Sequence, residues 1–157
     1  MLHTGRIYTK GNVSLRPPHP QTIRRAAKSS DIAENIRNWL SAASERDDIY
    51  YFSIYDADKL VGQMILHDID WQLGESLVGY HLFQPRYRGR GIGTQALELL
   101  KKFVTEWGRL AELIIITSAD NLASQRIAQK CGFLHTGAPR EDPNGVLLRW
   151  KVLKSKI

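Results

Sequence analysis

The sequence has a single cysteine, Cys131, in 157 residues, so no disulfide can form within the chain and stability must come from a packed core. No apolar run approaches the ~20 residues that a bilayer-spanning helix needs, and residues 1–12 carry no secretory pattern; a cytoplasmic protein with no membrane partner is expected. The five histidines show no ligand spacing and no cysteine cluster joins them, so no metal is expected. Internal repeats, low-complexity tracts and linkers are also lacking. One domain over residues 1–157 is the simplest expectation, and that length suffices to bury roughly 68–70% of the unfolded surface. One stretch contains no acid at all, and it is the most informative in the chain: Gln84-Pro85-Arg86-Tyr87-Arg88-Gly89-Arg90-Gly91-Ile92-Gly93-Thr94.

That stretch follows the apolar run Leu77 to Phe83 and leads into a helical pattern, so it reads as strand, Gly-rich loop, helix. Glycines at alternate positions let the backbone approach a ligand and turn N–H groups to one point, and the helix adds its positive end. Three arginines and a net charge of +6 suit an anion, best a pyrophosphate or a cofactor with several phosphates. A dinucleotide fingerprint fails because its third glycine would fall at Thr94, and a Walker loop fails at the same residue.

Around the loop the order of elements is regular. Asn12–Arg16 alternates as a half-buried strand and Pro17 and Pro18 stop it. Two helices are expected next, one through Ile23, Ala26 and Ala27, the other opened by the Asp31/Glu34 capping spacing and carrying Ile32, Ile36, Trp39, Leu40 and Ala43 on one face. Ile49–Tyr55, Leu60–Leu66 and Ser76–Phe83 predict an antiparallel meander. Ala96, Leu97, Leu100, Phe103, Val104 and Trp107 predict a helix ended by Gly108. Leu113–Thr117 predicts a strand covered on both faces and parallel to the one before the loop. A helix over about Asn121–Lys130 and closing strands over Phe133–Thr136 and Val146–Leu153 complete the chain.

The motif Arg88-x-x-Gly91-x-Gly93 resembles the acetyl-coenzyme A loop of the GNAT superfamily of N-acetyltransferases, and Asn121-Leu122-Ala123-Ser124-Gln125-Arg126, running on to Cys131-Gly132-Phe133, resembles that family's second motif. With Arg140-Glu141 and Asn144-Gly145 near the end, the chain is similar to the RimJ/RimL branch, whose best-known members acetylate the N-terminal amine of ribosomal proteins. The resemblance implies an α/β fold of the α+β kind: a mixed, mostly antiparallel sheet with splayed central parallel strands, flanked by helices. It implies acetyl-CoA as cosubstrate, an amine acceptor such as a ribosomal or other protein N-terminus, and room for a homodimer. Leu77, Gln95 and Val146-Leu147-Leu148 depart from the branch pattern outside the cofactor loop, and so bear on the acceptor.

Residue by residue, the resemblance assigns the pantetheine arm to the backbone of His81, Leu82 and Phe83 and to Asn121. It assigns the pyrophosphate to the amides of Arg88, Gly89, Arg90, Gly91, Ile92, Gly93 and Thr94, with the Arg86, Arg88 and Arg90 side chains at hand. Attack of a neutral amine on a thioester needs a placed amine, a base, a polarised carbonyl and a proton for the departing sulfur. A backbone N–H of Leu82 or Phe83 can polarise the carbonyl. Ser124 matches the proposed proton donor of the branch, or else serves as a cap or first-turn residue of its helix. Glu141 matches a glutamate thought to act as base through water, or is a solvated carboxylate in the turn before Pro143. Glu75 is the reserve base, and Asp68 and Asp70 beside it form an acidic patch that can attract a cationic amine. Cys131 reads as buried and structural, and Trp39, Trp71, Tyr50, Tyr51 and Tyr87 as core or cleft wall. Three other readings stay open: a polyamine or antibiotic as acceptor, a basic nucleic-acid or ribosome-binding module without chemistry, and a sensor that binds the coenzyme without turnover.

Overall fold

The computed structural model describes residues 6–18 and 46–153; the two helices expected between Ile23 and Ala43 lie outside them. The described strands form one sheet in the order β1-β2-β3-β4-β5-β6-β8-β7. In chain order these are β1 (Tyr8–Lys10), β2 (Val13–Arg16), β3 (Tyr50–Asp56), β4 (Lys59–Asp70), β5 (Glu75–Leu82), β6 (Glu112–Ser118), β7 (Leu134–Gly137) and β8 (Gly145–Lys151). The described helices are α1 (Ile92–Trp107) and α2 (Leu122–Lys130). Only β5 and β6 run parallel, as the apolar run on either side of a crossover helix predicts. No described helix is long and apolar enough to cross a membrane.

The meander follows the sequence closely, with two differences. β1 is too short to carry a pattern and exists because Gly11, at φ +61, closes a tight turn between Lys10 and Val13. β4 runs on past Leu66 to Asp70 through a bulge at which Asp68 takes φ +49. Asp70 then closes the turn into β5, its carboxylate accepting from the N–H groups of Gln72 and Leu73 at 3.0 Å.

Alternation divides the residues of the sheet between its two faces. Toward α1 stand Val13, Leu15, Tyr50, Phe52, Ile54, Met64, Leu66, Val78, Leu113, Ile115 and Leu148, packed on Ala96, Leu97, Leu100, Phe103 and Val104. Phe103 is the centre of this layer, edge-on to Tyr8 and Phe52 at centroid distances of 5.8 and 5.0 Å and stacked on Trp107 at 5.2 Å. Burying each large apolar side chain contributes about 1.5–3 kcal/mol, which is what fixes α1 across the sheet. The opposite face is buried at Tyr51, Ser53, Gln63 and Ile65 but opens at Ile116, which is 45% exposed, so β6 is covered on both faces only over its first half.

β4 lies tight against β5 at Gly62, where an added Cβ would lie 2.2 Å from the His81 carbonyl oxygen. Gly62→Ala is expected to lower stability by about 1–3 kcal/mol, the usual range for overpacking, because backbone rather than a side chain has to move. Chemical denaturation measures the loss; an unchanged midpoint and slope would contradict so close an approach.

Candidate active site

β5 and β6 pair over three positions only, Glu75 with Glu112, Ser76 with Leu113 and Leu77 with Ile114, although both strands continue. Beyond Leu77 the two diverge and leave a gap that opens toward the ends of both strands. On its other side β5 stays paired with β4 through His81 and Leu82, and the Phe83 N–H donates to the Val61 carbonyl at 2.8 Å. In an antiparallel ladder the amides alternate in direction, so His81 and Phe83 turn theirs to β4 while Tyr80 and Leu82 turn theirs into the gap. Of the two N–H groups the sequence offered for polarising a carbonyl, Phe83 is therefore committed and Leu82 is the one that faces the gap.

The Gly-rich loop follows directly. A single 3-10 turn, Pro85–Tyr87, is closed by the Arg88 N–H on the Pro85 carbonyl at 3.0 Å, which removes the Arg88 amide from the anion-binding set. Gly89 at φ +73 and Gly91 at φ +80 then turn the chain into α1, with open space where a Cβ would stand. Gly91 is the N-cap of α1, no side chain caps the helix, and its first turn holds no acid. The first intrahelical bond is Gln95 N–H to Gly91 C=O, so the N–H groups of Ile92, Gly93 and Thr94 have no intrahelical acceptor and point out of the helix start. Gly93 serves a different purpose: its Cβ would meet the Ile127 side chain at 3.2 Å and the Tyr80 ring at 3.8 Å, so it lets α1 pack against α2 and β5. Among the arginines, Arg86 donates to the Tyr87 hydroxyl at 3.0 Å and Arg90 lies 4.0 Å from the Asp56 carboxylate, a pair loose enough to exchange for phosphate.

α2 begins beside the gap. Asn121 is its N-cap, its side-chain oxygen accepting from the Ser124 N–H at 3.1 Å. Capping thus falls to Asn121, and the Ser124 hydroxyl stands instead 3.5 Å from the Tyr80 hydroxyl. Burial raises the Tyr80 pKa, offset in part by Ser124, so the phenol keeps its proton. Tyr80 is the residue that sequence reasoning missed. Its signal was only its place in a strand of alternating side chains, because the partner lies 44 positions away.

Glu141 is exposed in the loop between β7 and β8. β8 starts with Gly145 opposite Ser118, so this loop sits at the end of β6 where the gap is widest and α2 begins. Glu75 is at the other end. It opens β5, about 23 Å from Leu82 at ~3.3 Å per residue, and Arg149 binds it at 3.8 Å together with Glu112 at 3.0 Å. The reserve-base assignment of Glu75 is corrected on that ground. The same holds for the acidic patch: Asp70 is a turn-closing group, and Asp68 contacts His67 at 2.7 Å and Arg46 at 3.6 Å, far from the gap. His81 is half-buried on β5, and burial first, then the charge of His67, lowers its pKa, so its ring is neutral at pH 7. Tyr50 and Trp71 belong to the aromatic core with Phe103 and Trp107, Tyr87 is buried, and Trp39 lies outside the described residues. Tyr51 is fully buried on the face away from α1.

A parallel pair that opens into a gap, backed by a helix start with unpaired N–H groups, defines a site for an extended ligand ending in phosphates. A family model described as "Acetyltransferase (GNAT) domain" matches residues 12–134. The chain belongs to the GNAT acetyltransferase family, the acetyl-CoA-dependent N-acyltransferases. The probable N-acetyltransferase YjcK of Bacillus subtilis (strain 168) is 32% identical over 107 residues, 65% of this chain and 59% of that protein. The ribosomal-protein-serine acetyltransferase of Escherichia coli (strain K12) is 29% identical over 90 residues, 57% of this chain and 50% of its own length. The chain thus spans about three fifths or less of the length of these curated relatives. In fold, the chain is similar to apo RimL, a ribosomal L7/L12 alpha-N-protein acetyltransferase, with a TM-score of 0.77 at 18% identity over 94% of this chain and 98% of the other. It is also similar to the spermidine N-acetyltransferase of Vibrio cholerae in complex with CoA and spermine, with a TM-score of 0.75 at 13% identity over 91% and 97%.

Two outcomes follow. Acetyl-CoA at a hundred times its dissociation constant is expected to stabilise the protein by about 2.7 kcal/mol, and Gly91→Val to abolish that thermal shift by filling the open space at the helix start. Gly93→Val should instead lower the melting temperature of the free protein, and a normal shift in Gly91→Val would refute the assignment of the loop. Second, burial pushes the Cys131 thiol up to about 12 from an ordinary 9.0. At pH 9 a thiol reagent should therefore react with the unfolded chain at least tenfold faster than with the folded one; equal rates would contradict the burial.

Proposed function

We propose that the protein transfers the acetyl group of acetyl-CoA to a primary amine, and that the acceptor is the N-terminal α-amine of a protein or peptide. The observation that carries the reading is the gap itself: Tyr80 and Leu82 present backbone N–H and C=O groups along it, the loop lies at its mouth, and the Ser124 and Tyr80 hydroxyls meet beside it.

Acetyl-CoA supplies an activated acetyl thioester, and the residues present fit it: orphan N–H groups at the start of α1 for the phosphates, and the gap-facing amides of β5 for the arm. The chain's own groups then have definable tasks. The Leu82 N–H donates to an oxygen on which negative charge develops. The Ser124 hydroxyl donates to a departing sulfur and recovers a proton through the Tyr80 hydroxyl, which accepts one from solvent as it gives one up, because burial disfavours its anion. Glu141, exposed in the β7–β8 loop at the open end of the gap, takes the amine's proton through water.

A weak base suffices for an α-amine. Its reference pKa is about 7.7–8.0 against about 10.4 for a lysine side chain, so near pH 7 roughly a tenth is neutral, compared with well under a hundredth. The ribosomal-protein acetyltransferases among the similar proteins support this acceptor, while the spermidine enzyme on the same fold supports the competing one. Glu75, Asp68 and Asp70, held away from the gap by Arg149, the turn into β5 and Arg46, give that acidic patch no part in holding a polyamine there.

Ser124→Ala is expected to lower kcat on the order of 10²-fold while leaving acetyl-CoA affinity unchanged, and Tyr80→Phe to lower it less, since solvent can replace the relay. Release of free thiol with peptide acceptors measures both. Normal turnover in Ser124→Ala would leave the serine a structural role only. Efficient acetylation of spermidine with inert peptides would refute the α-amine acceptor and leave acetyl transfer standing.

A further inference from the structure

The face of the sheet away from α1 carries polar groups that the chemistry above does not use. Cross-strand register sets Arg16 opposite Ser53, Ser53 opposite Gln63, and Gln63 opposite His81, so these four form one row across β2, β3, β4 and β5. Tyr51 stands next to it, two residues along β3 on the same face. Ser53, Gln63 and Tyr51 are fully buried, and the Ser53 hydroxyl, both polar atoms of the Gln63 amide and the Tyr51 hydroxyl have no hydrogen-bond partner among the described residues. A buried polar atom left unpaired costs about 1–3 kcal/mol, so a cluster of them is retained against a stability gradient that Leu, Ala and Phe at these positions would remove.

The row ends at the gap. His81 is the last of the four, and on its far side β6 has already diverged, leaving Ile116 exposed on this same face. A molecule entering past Ile116 would reach the gap from the side opposite α1 and α2, and because Ser53 and Gln63 in the row are fully buried it would have to displace what covers them before its far end could lie along the row. The row's chemistry is neutral: among the described residues it holds no carboxylate, and its one charge is Arg16, whose guanidinium bonds the Ser14 hydroxyl at 2.9 Å and the Ala57 carbonyl at 3.0 Å. Such a row repels a second cation and satisfies a group that both donates and accepts. A side-chain amide does this in two-point fashion with another amide.

We propose that Gln63, with the hydroxyls of Ser53 and Tyr51, is the acceptor subsite and binds the first peptide group of the incoming chain while its amine sits at the gap. This rests on the α-amine reading above and adds to it the residues that distinguish a peptide from a simple amine. Binding there explains why the polar atoms are unsatisfied in the free protein, and it makes the selection one of hydrogen-bond complementarity, where a site built for an N–H or C=O penalises a ligand that lacks it.

The test compares a short peptide with its analogue in which the first peptide bond is an ester, which removes one donor and keeps the shape. Wild-type protein is expected to prefer the amide on the order of tenfold in kcat/KM, the worth of one neutral hydrogen bond. Gln63→Leu should lose that preference through a higher KM, keep the acetyl-CoA thermal shift, and melt no lower than wild type, because the orphaned amide is gone. Ser53→Ala provides the same comparison if Gln63→Leu does not fold. A preference that survives in both variants, or is absent from wild type, overturns the subsite while leaving the α-amine reading intact. Wild-type protein that acetylates neither peptide but does acetylate spermidine overturns both.

Discussion

The constraint on which the site depends is the end of backbone hydrogen bonding between β5 and β6 after Leu77. Up to that point the two strands are ordinary parallel neighbours, held by Ser76 and Leu77 against Leu113 and Ile114 and closed at the base by Arg149 between Glu75 and Glu112. Beyond it, β5 remains fastened to β4, so the amides of Tyr80 and Leu82 stay fixed in direction but have no partner on β6. Unpaired backbone groups near a core cost free energy unless water or a ligand takes them. Here the fold accepts that cost at one place and surrounds it with the means of holding a ligand: the loop with Gly89 and Gly91, the open start of α1, and the hydroxyl pair of Tyr80 and Ser124.

The rest of the molecule keeps β5 in position. Phe103 and its aromatic neighbours hold α1 across the sheet, Gly93 brings the start of α1 close to α2 and Tyr80, and Gly62 brings β4 up against His81. One side of β5 therefore meets the helices and the other meets the buried polar row. A ligand with a long arm on the helix side and an acceptor on the other would meet at the gap, each recognised by different chemistry: orphan N–H groups and arginines for an anion, neutral hydrogen-bonding side chains for an amide.

Local features were legible in the sequence. The apolar run, the loop without acid and the helical periodicity after it are each set by neighbours within a few residues, and the structure has strand, loop and helix there. Features that depend on register were not. Whether Leu82 or Phe83 offers its N–H is decided by which of them pairs with β4, and only the bond from Phe83 to Val61 settles it. Ser124 read equally as a helix cap until Asn121 was seen to occupy that role. Glu75 looked available because nothing nearby in sequence reveals Arg149, which reaches it from β8.

The central claim is tested most directly by amide hydrogen exchange at single-residue resolution with and without acetyl-CoA. The account predicts that the Tyr80 and Leu82 amides, together with those of Ile92, Gly93 and Thr94, exchange more slowly when acetyl-CoA is bound, while His81 and Phe83, already paired with β4, change little. Protection at Ile92 to Thr94 with no change at Tyr80 and Leu82 would contradict it, since the gap would then not be where the reacting arm lies.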